Sequence, residues 1–281
     1  MSDTILVIGA TGTIGQHLVA DLLAKGATVK AASRNGTAIA GAQSVVFDYT
    51  QPTDFDELFH GVASAYVLVP AGYLNVVALL TPVIQAAAER KVKVVLQTVL
   101  GVDADDSTPY RQVELLLERS GTPFVMLRPN WFADNFHTYW LQGIQHGVIA
   151  VPAADGKTSF IDTRDIAAAA AAALTSDAFN GKAFNLTGAQ ALSYAEAASI
   201  LAEVTGRNIA YQAVDDATFI AMLTNAGLPP DYAAFLAALF QPVRNGWTAA
   251  ISDGVQTLTG QPPRSLRQYA LDNAAKLQGV K

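Results

Sequence analysis

Seven residues near the start of this chain, Gly9-Ala10-Thr11-Gly12-Thr13-Ile14-Gly15, have the types and spacing to hold a dinucleotide. The first glycine suits a tight strand-to-helix turn, the second lets the backbone approach a pyrophosphate, and the third packs helix on strand. Thr11, Thr13 and Ile14 complete a cradle whose N–H groups open the helix and attract phosphate. The context agrees: the apolar run Thr4-Ile5-Leu6-Val7-Ile8 precedes it, and a helical pattern over 16–25 follows, with Leu18, Leu22 and Leu23 on one face and Gly26 as the stop. A second strand over 27–32 ends at Ser33-Arg34, nineteen residues after Gly15. A carboxylate at that offset would bind a ribose 2′-hydroxyl and repel a 2′-phosphate. Ser33 and Arg34 stand there instead, and a guanidinium binds a 2′-phosphate through paired charge-assisted hydrogen bonds, so the cofactor expected is NADP(H). A solvated loop arginine is the plainer use of Arg34.

Composition narrows the partners. The chain has 281 residues, 51% of them apolar, enough for one large domain or two intimate ones. Eighteen basic against 24 acidic residues give a net charge of −6 with no Lys/Arg block, which argues against nucleic acid. There is no cysteine, so disulfides and thiolate sites are excluded, and His17, His60, His137 and His146 form no pair at metal spacing. No metal is expected. The start, Met1-Ser2-Asp3, lacks a basic n-region, making a cytoplasmic location the default, and the apolar run over 166–174 falls short of the ~20 residues that span a bilayer. A small-molecule partner is expected, with no membrane or nucleic acid, and a homodimer is left open. Gly156-Lys157-Thr158 lacks the earlier glycine of a phosphate loop. Asp103, Asp105 and Glu114 lack the central glycine of a calcium loop, and no G-x-S-x-G elbow exists.

The elements that must position these residues alternate. Strand-like runs over 45–47, 64–69, 92–97 and 124–127 are separated by helical patterns over 54–59, 73–90 and 109–119. Strands apolar on both faces imply an α/β fold: a Rossmann-type, doubly wound parallel sheet covered by helices. From Trp131 the pattern changes, with helices over 164–174, 194–205, 217–244 and 265–278 and a strand over 183–186. The expected division is a dinucleotide-binding domain over 1–150, with returns near 158–190, and a smaller, mostly helical, partly interleaved substrate domain over 151–281. Ligands of such sheets bind beyond the carboxyl ends of the strands.

With these motifs, Asp48-Tyr49, the segment Tyr110-Arg111-Gln112-Val113-Glu114 with Ser120-Gly121-Thr122-Pro123, the run Leu127-Arg128-Pro129-Asn130-Trp131-Phe132-Ala133-Asp134-Asn135-Phe136, and Phe160-Ile161-Asp162-Thr163-Arg164-Asp165-Ile166-Ala167, the chain resembles the NmrA-like atypical short-chain dehydrogenases/reductases. The resemblance covers most of the length and implies an NADP-binding fold. The similar members include NADPH-dependent quinone, triphenylmethane-dye and azo-dye reductases, while other relatives are non-catalytic sensors of the nicotinamide pool. It further implies that Asp48 binds the adenine amino group with Tyr49 beside it, that Val69, Pro70 and Ala71 line the adenosine and pyrophosphate side, and that Thr98 lies near the nicotinamide. Asp48 has a second reading, as a turn carboxylate. Asp162 and Asp165 fit helix-start caps better than an active site.

Tyr110 stands where the short-chain pattern places its catalytic tyrosine, but Glu114 occupies the position of the lysine in Tyr-x-x-x-Lys. One helical turn from Tyr110, a carboxylate disfavours the tyrosinate, so Tyr110 is expected to be a neutral hydrogen-bond donor, or else a half-exposed structural tyrosine. Acceptors that delocalise charge then suit the site. Tyr73, Trp131, Phe132, Phe136 and Phe160 are the candidates for stacking on a flat aromatic or quinonoid substrate, Tyr139 and Trp140 belong to the same run, and Asn130 and Asn135 offer polar contacts. Aromatic residues at such spacing also build cores. The function expected is NADPH-dependent hydride transfer to conjugated, electron-poor acceptors without the Tyr-Lys pair. The alternative is a non-catalytic NADP(H) redox sensor. No separate flavin motif is present.

Overall fold

The computed structural model describes residues 4–70 and 72–279, and the chain divides into two compact units. The first comprises the chain up to Pro129 together with Thr163–Leu186 and Gly254–Gln261. Its strands are β1 (Thr4–Ile8), β2 (Thr28–Ser33), β3 (Gln43–Val46), β4 (Val62–Val67), β5 (Lys93–Gln97) and β6 (Phe124–Pro129), separated by helices α1 (Gly15–Ala24), α2 (Phe55–Phe59), α3 (Val76–Glu89) and α4 (Pro109–Arg119). The order across the sheet is β3-β2-β1-β4-β5-β6, completed by the strand Lys182–Leu186 beside β6, and every pairing is parallel. The direction of winding reverses between β1 and β4, which is where a doubly wound sheet opens a crevice for a ligand.

The burial of β1 and β5 explains the arrangement: Ile5, Leu6, Val7 and Ile8, and all five residues of β5, are buried, so these strands must sit in the middle with helices over both faces. The alanine-rich helix Thr163–Leu174 packs against α1, since small side chains let two helix backbones come close. Buried Lys30 on β2 donates to the carbonyls of Glu57 and Leu58 at 2.9 and 3.1 Å. It thereby satisfies the carboxyl end of the short α2.

The second unit comprises Asn130–Asp162, Thr187–Asp253 and Pro262–Lys281. Besides helices it holds two small sheets that sequence periodicity did not reveal: Val148–Val151 pairs in parallel with Ala210–Ala213, and Lys157–Thr158 antiparallel with Leu192–Ser193. A Ser193/Glu196 capping box starts the helix Tyr194–Thr205. The helical pattern over 217–244 is three helices, Asp216–Asn225, Pro230–Ala238 and Gln241–Arg244, because Pro230 and Pro242 lack an N–H and fit only the opening turn. Phe136, Phe160, Tyr194, Phe240 and Tyr269 form the heart of this unit's core.

Candidate functional site

At the carboxyl end of β1 the chain turns through Gly9 at φ +75°. The N–H groups of Gly9 and Ala10 both donate to the Ala32 carbonyl at 3.0 Å, fixing the turn to the end of β2, and Gly12 donates to the Gly9 carbonyl at 2.9 Å. The two later glycines have different reasons. A Cβ on Gly15 would lie 2.1 Å from the Gly9 carbonyl oxygen and 2.8 Å from the Ala10 Cα, so Gly15 is required for helix-on-strand packing. A Cβ on Gly12 would meet only the Gly9 oxygen, at 3.2 Å, and would otherwise stand in the open. Thr11, Gly12 and Thr13 are exposed while Ile14 and Gly15 are buried. Ile14 gives α1 no side-chain cap and the first turn carries no acid, so the positive end of the helix meets no side-chain anion, although the Gln16 N–H is already bonded to the Gly12 carbonyl at 3.1 Å. The residues fit a dinucleotide pyrophosphate.

Next to it lies the end of β2. Ser33 is buried, and its hydroxyl accepts the Thr37 N–H at 3.0 Å, so it holds the following loop. Arg34 is exposed, and its positive charge contributes to holding Asp48 low. Asp48 makes a turn: its Oδ1 accepts the N–H and the hydroxyl of Thr50 at 2.9 and 2.8 Å. These two bonds, with the Arg34 charge as the smaller cause, keep its carboxyl below the usual range. The turn reading of Asp48 is thus realised, and its charge faces the same neighbourhood as Arg34. Tyr49 donates its hydroxyl to the Leu68 carbonyl and stands edge-on to Phe47 at 4.7 Å, joining the exits of β3 and β4; burial pushes its phenol well up. Val69 is buried, Pro70 half-buried, and Tyr73 packs against the core of the first unit. Ala71 lies outside the described residues.

The reacting end of the expected site centres on an unexpected group. Glu114 is entirely buried. Its Oε1 accepts the Thr98 hydroxyl at 2.7 Å and Arg128 Nε at 2.9 Å, while Oε2 accepts Arg128 Nη2 at 2.7 Å and Arg111 Nη1 at 2.9 Å. Arg128 also pairs with Asp103, and Arg111 with Asp106 and Glu118 at 2.9 and 3.0 Å. The expectation that Glu114 acts on the Tyr110 phenol is corrected: two guanidinium groups neutralise the carboxylate. Tyr110 is raised by burial alone. Tyr110 is half-buried against the core of the first unit. Thr98 is 3% exposed and its proton is committed to Glu114. Sequence reasoning left Arg128 out of the site. The signal was a charged residue inside the apolar strand β6, which demands a buried anion.

The aromatic candidates of the second unit build a core. Phe136 and Phe160 are 0% and 2% exposed, with ring centroids 5.0 Å apart, and Phe160 stands edge-on to Tyr194 at 5.3 Å. Both are corrected from substrate surface to packing, because rings at that depth present almost no surface to a ligand. Trp131, stacked on Trp140 at 6.0 Å and tilted against Phe240 at 4.8 Å, and Phe132 keep partial exposure. Buried Asn130 donates to the Ser159 hydroxyl at 2.7 Å and the Thr248 carbonyl at 2.8 Å, which makes it a strut. A hollow of about 430 Å³ lined by Gln145, His146, Gly147, Arg207 and Asn208 also lies in this unit. There Arg207 donates to the Gln145 carbonyl and a ring nitrogen of His146 bonds the Gln142 carbonyl, so both side chains serve as caps for the helix Leu141–Gln145. No group of His, Asp and Glu suited to a metal occurs among the described residues.

A parallel sheet wound both ways, with a glycine loop and an uncapped helix at its first strand, defines the dinucleotide-binding class of α/β proteins. Residues 1–256 match the family model described as the NmrA-like family, and the chain belongs to that family. It is 32% identical over 96% of its length to a Bacillus subtilis protein named an uncharacterized oxidoreductase, YesF, covering 95% of that protein. It is 30% identical to the NAD(P)H azoreductase of Xenophilus azovorans, over 96% of this chain and 98% of that one. Among solved structures, the NADPH-dependent quinone oxidoreductase of Escherichia coli, complexed with NADPH, superposes with a TM-score of 0.85 at 25% identity, covering 95% of this chain and 98% of that one.

Proposed function

We propose that this chain is an NADPH-dependent reductase of conjugated, electron-poor acceptors of the quinone or azo type. The observation that carries the reading is the glycine cradle on an uncapped, acid-free helix N-terminus, with the exposed Arg34 one strand away at the carboxyl edge of the sheet. The names of relatives that act on azo compounds and quinones support the acceptor class. NADPH, when bound, supplies the hydride.

In this reading the N–H groups around Gly12 hold the pyrophosphate, Arg34 binds the 2′-phosphate, Asp48 and Tyr49 flank the adenosine, and Thr98 and Tyr110 stand at the reacting end. Burial keeps the Tyr110 phenol protonated through the physiological range, so it can donate a hydrogen bond but is no tyrosinate. The position that would hold an activating lysine holds Glu114, turned inward. A plain ketone needs an acid for its developing alkoxide, whereas a quinone or azo acceptor spreads the incoming charge over its own π-system. The substrate class follows from that difference.

The test is NADPH oxidation by the purified protein with a quinone, an azo dye and a simple ketone. Turnover of the first two without the third is expected. Tight NADPH binding with no oxidation by any acceptor would overturn the reductase reading and leave a nicotinamide sensor.

A further inference from the structure

We infer that Glu114 is a positioning residue that sets Thr98 and the first turn of α4 at the reacting end of the cofactor site. The inference rests on the reductase reading for its kinetic arm alone. One carboxylate gathers donors from three places: Thr98 at the exit of β5, Arg111 on α4, and Arg128 at the end of β6. Arg128 carries the linkage on to Asp103, within the loop that runs from Thr98 to the start of α4. Thr98 is fastened a second time, its N–H donating to the Leu127 carbonyl at 2.9 Å. The connection from β5 to Tyr110 is therefore tied to β6 at two places, at Thr98 through the Glu114 carboxylate and the Leu127 carbonyl, and at Asp103 through Arg128, while Glu114 alone fixes the direction of the Thr98 hydroxyl.

Stability alone does not call for this arrangement. Apolar residues of equal volume commonly stabilise an interior as well as a buried ion pair does, because two charges must first lose their water. What an ionic cluster adds is geometry: the planar guanidinium of Arg128 meets both oxygens of Glu114, which leaves one orientation for the carboxylate and one hydrogen-bond direction for the Thr98 hydroxyl. The residue four places after Tyr110 thus acts from beneath, through Thr98 and the α4 turn. A displacement of about 1 Å at a reacting group can cost on the order of a hundredfold in rate, so a fastening of this kind controls turnover without touching substrate.

The experiment compares wild type, Glu114→Gln, Thr98→Val, Thr98→Ser and the Glu114→Gln/Thr98→Val double variant as full chains. Glu203→Gln, which breaks the exposed pair with Arg267, is the control. Four quantities are measured: the NADPH dissociation constant, the fluorescence change of the reduced nicotinamide on binding, kcat and KM with a quinone, and the melting temperature. For Glu114→Gln and Thr98→Val we expect NADPH affinity within about threefold of wild type, a fluorescence change reduced to about half or less, and kcat lower by about ten- to a hundredfold. The double variant should be no worse than the poorer single one, since both changes act on the same contact between position 98 and position 114. Thr98→Ser keeps the hydroxyl and should restore kcat and fluorescence; Glu203→Gln should change neither. A lower melting temperature in Glu114→Gln with unchanged kcat and fluorescence per folded molecule would make Glu114 a stabilising group only and overturn the inference. If Glu114→Gln does not fold, Thr98→Val decides, because it leaves the Glu114–Arg128 pair intact: full kcat and an unchanged nicotinamide signal would overturn the inference equally. Should wild type bind NADPH but reduce no acceptor, the reductase reading falls, and the fluorescence of the same variants still decides the role of Glu114.

Discussion

At the scale of single residues, chemistry follows from what each side chain has already spent. Ser33 is buried and its hydroxyl accepts the Thr37 N–H, whereas Arg34 is exposed with its charge available, so the proposed cofactor preference is tested at Arg34. Losing a charge-assisted contact costs about 1.5–3 kcal/mol, so Arg34→Ala should weaken NADPH binding by roughly ten- to a hundredfold and leave NADH almost unchanged. Calorimetry with both cofactors checks this; an equal loss for each would remove Arg34 from the 2′-phosphate site. Tyr110, kept protonated by burial, is expected to help little beyond a hydrogen bond. Tyr110→Phe should then lower quinone turnover modestly, well short of the 10²–10⁴-fold or so that general-acid catalysis supplies. A thousandfold collapse in steady-state kcat would restore a conventional dehydrogenase mechanism.

Among the elements, the turn from β1 into α1 separates folding from binding within seven residues. Gly→Ala in a helix usually gains about 1 kcal/mol of backbone entropy, but at Gly15 the new Cβ meets backbone atoms that cannot yield, a conflict at the upper end of the about 1–3 kcal/mol that overpacking costs. The clash wins: Gly15→Ala should lower the urea midpoint whether or not NADPH is present. Gly12→Val should retain the circular dichroism of the wild type and lose NADPH binding, because its side chain would fill open space beside the exposed Thr11-Gly12-Thr13 stretch, where the proposed pyrophosphate must approach the backbone. Undiminished NADPH affinity in Gly12→Val would refute the dinucleotide cradle. Helix α4 shows the opposite economy, with Val113, Glu114 and Leu117 all buried, so that its charged residue is part of its packed face.

For the whole molecule, acid sensitivity should be shared by both units. Asp48 and Asp105 in the first, and Glu196 and Asp215 in the second, are held below their ordinary values, chiefly by hydrogen bonds from Thr50, Ser107, Ser193 and Thr218 respectively. A carboxyl whose pKa is lower folded than unfolded adds stability above its unfolded value and loses it as pH falls through the folded one. The melting temperature should therefore hold between about pH 5 and 8 and decline below about pH 4. Calorimetry across that range tests it, and a melting temperature that rises on acidification would contradict the assignment.

What the sequence by itself determined was local. The glycine spacing, the apolar runs of β1 and β5, the proline and capping signals and the absence of a lysine four places after Tyr110 all act through neighbours in the chain, so the doubly wound sheet and the glycine turn between β1 and α1 were legible from residue order. Tertiary structure decided where side chains point when their partners are remote. Glu114 finds Thr98 and Arg128 sixteen and fourteen residues away, and Asn130 finds Thr248 across 118. Helical spacing placed Glu114 beside Tyr110 and could not say that two arginines would draw the carboxylate inward. Nor could composition divide the aromatic run: Phe136 and Phe160 are interior and Trp131 partly exposed because rings from distant segments close over the first two. Burial is a property of the assembled core, and no stretch of chain carries it alone.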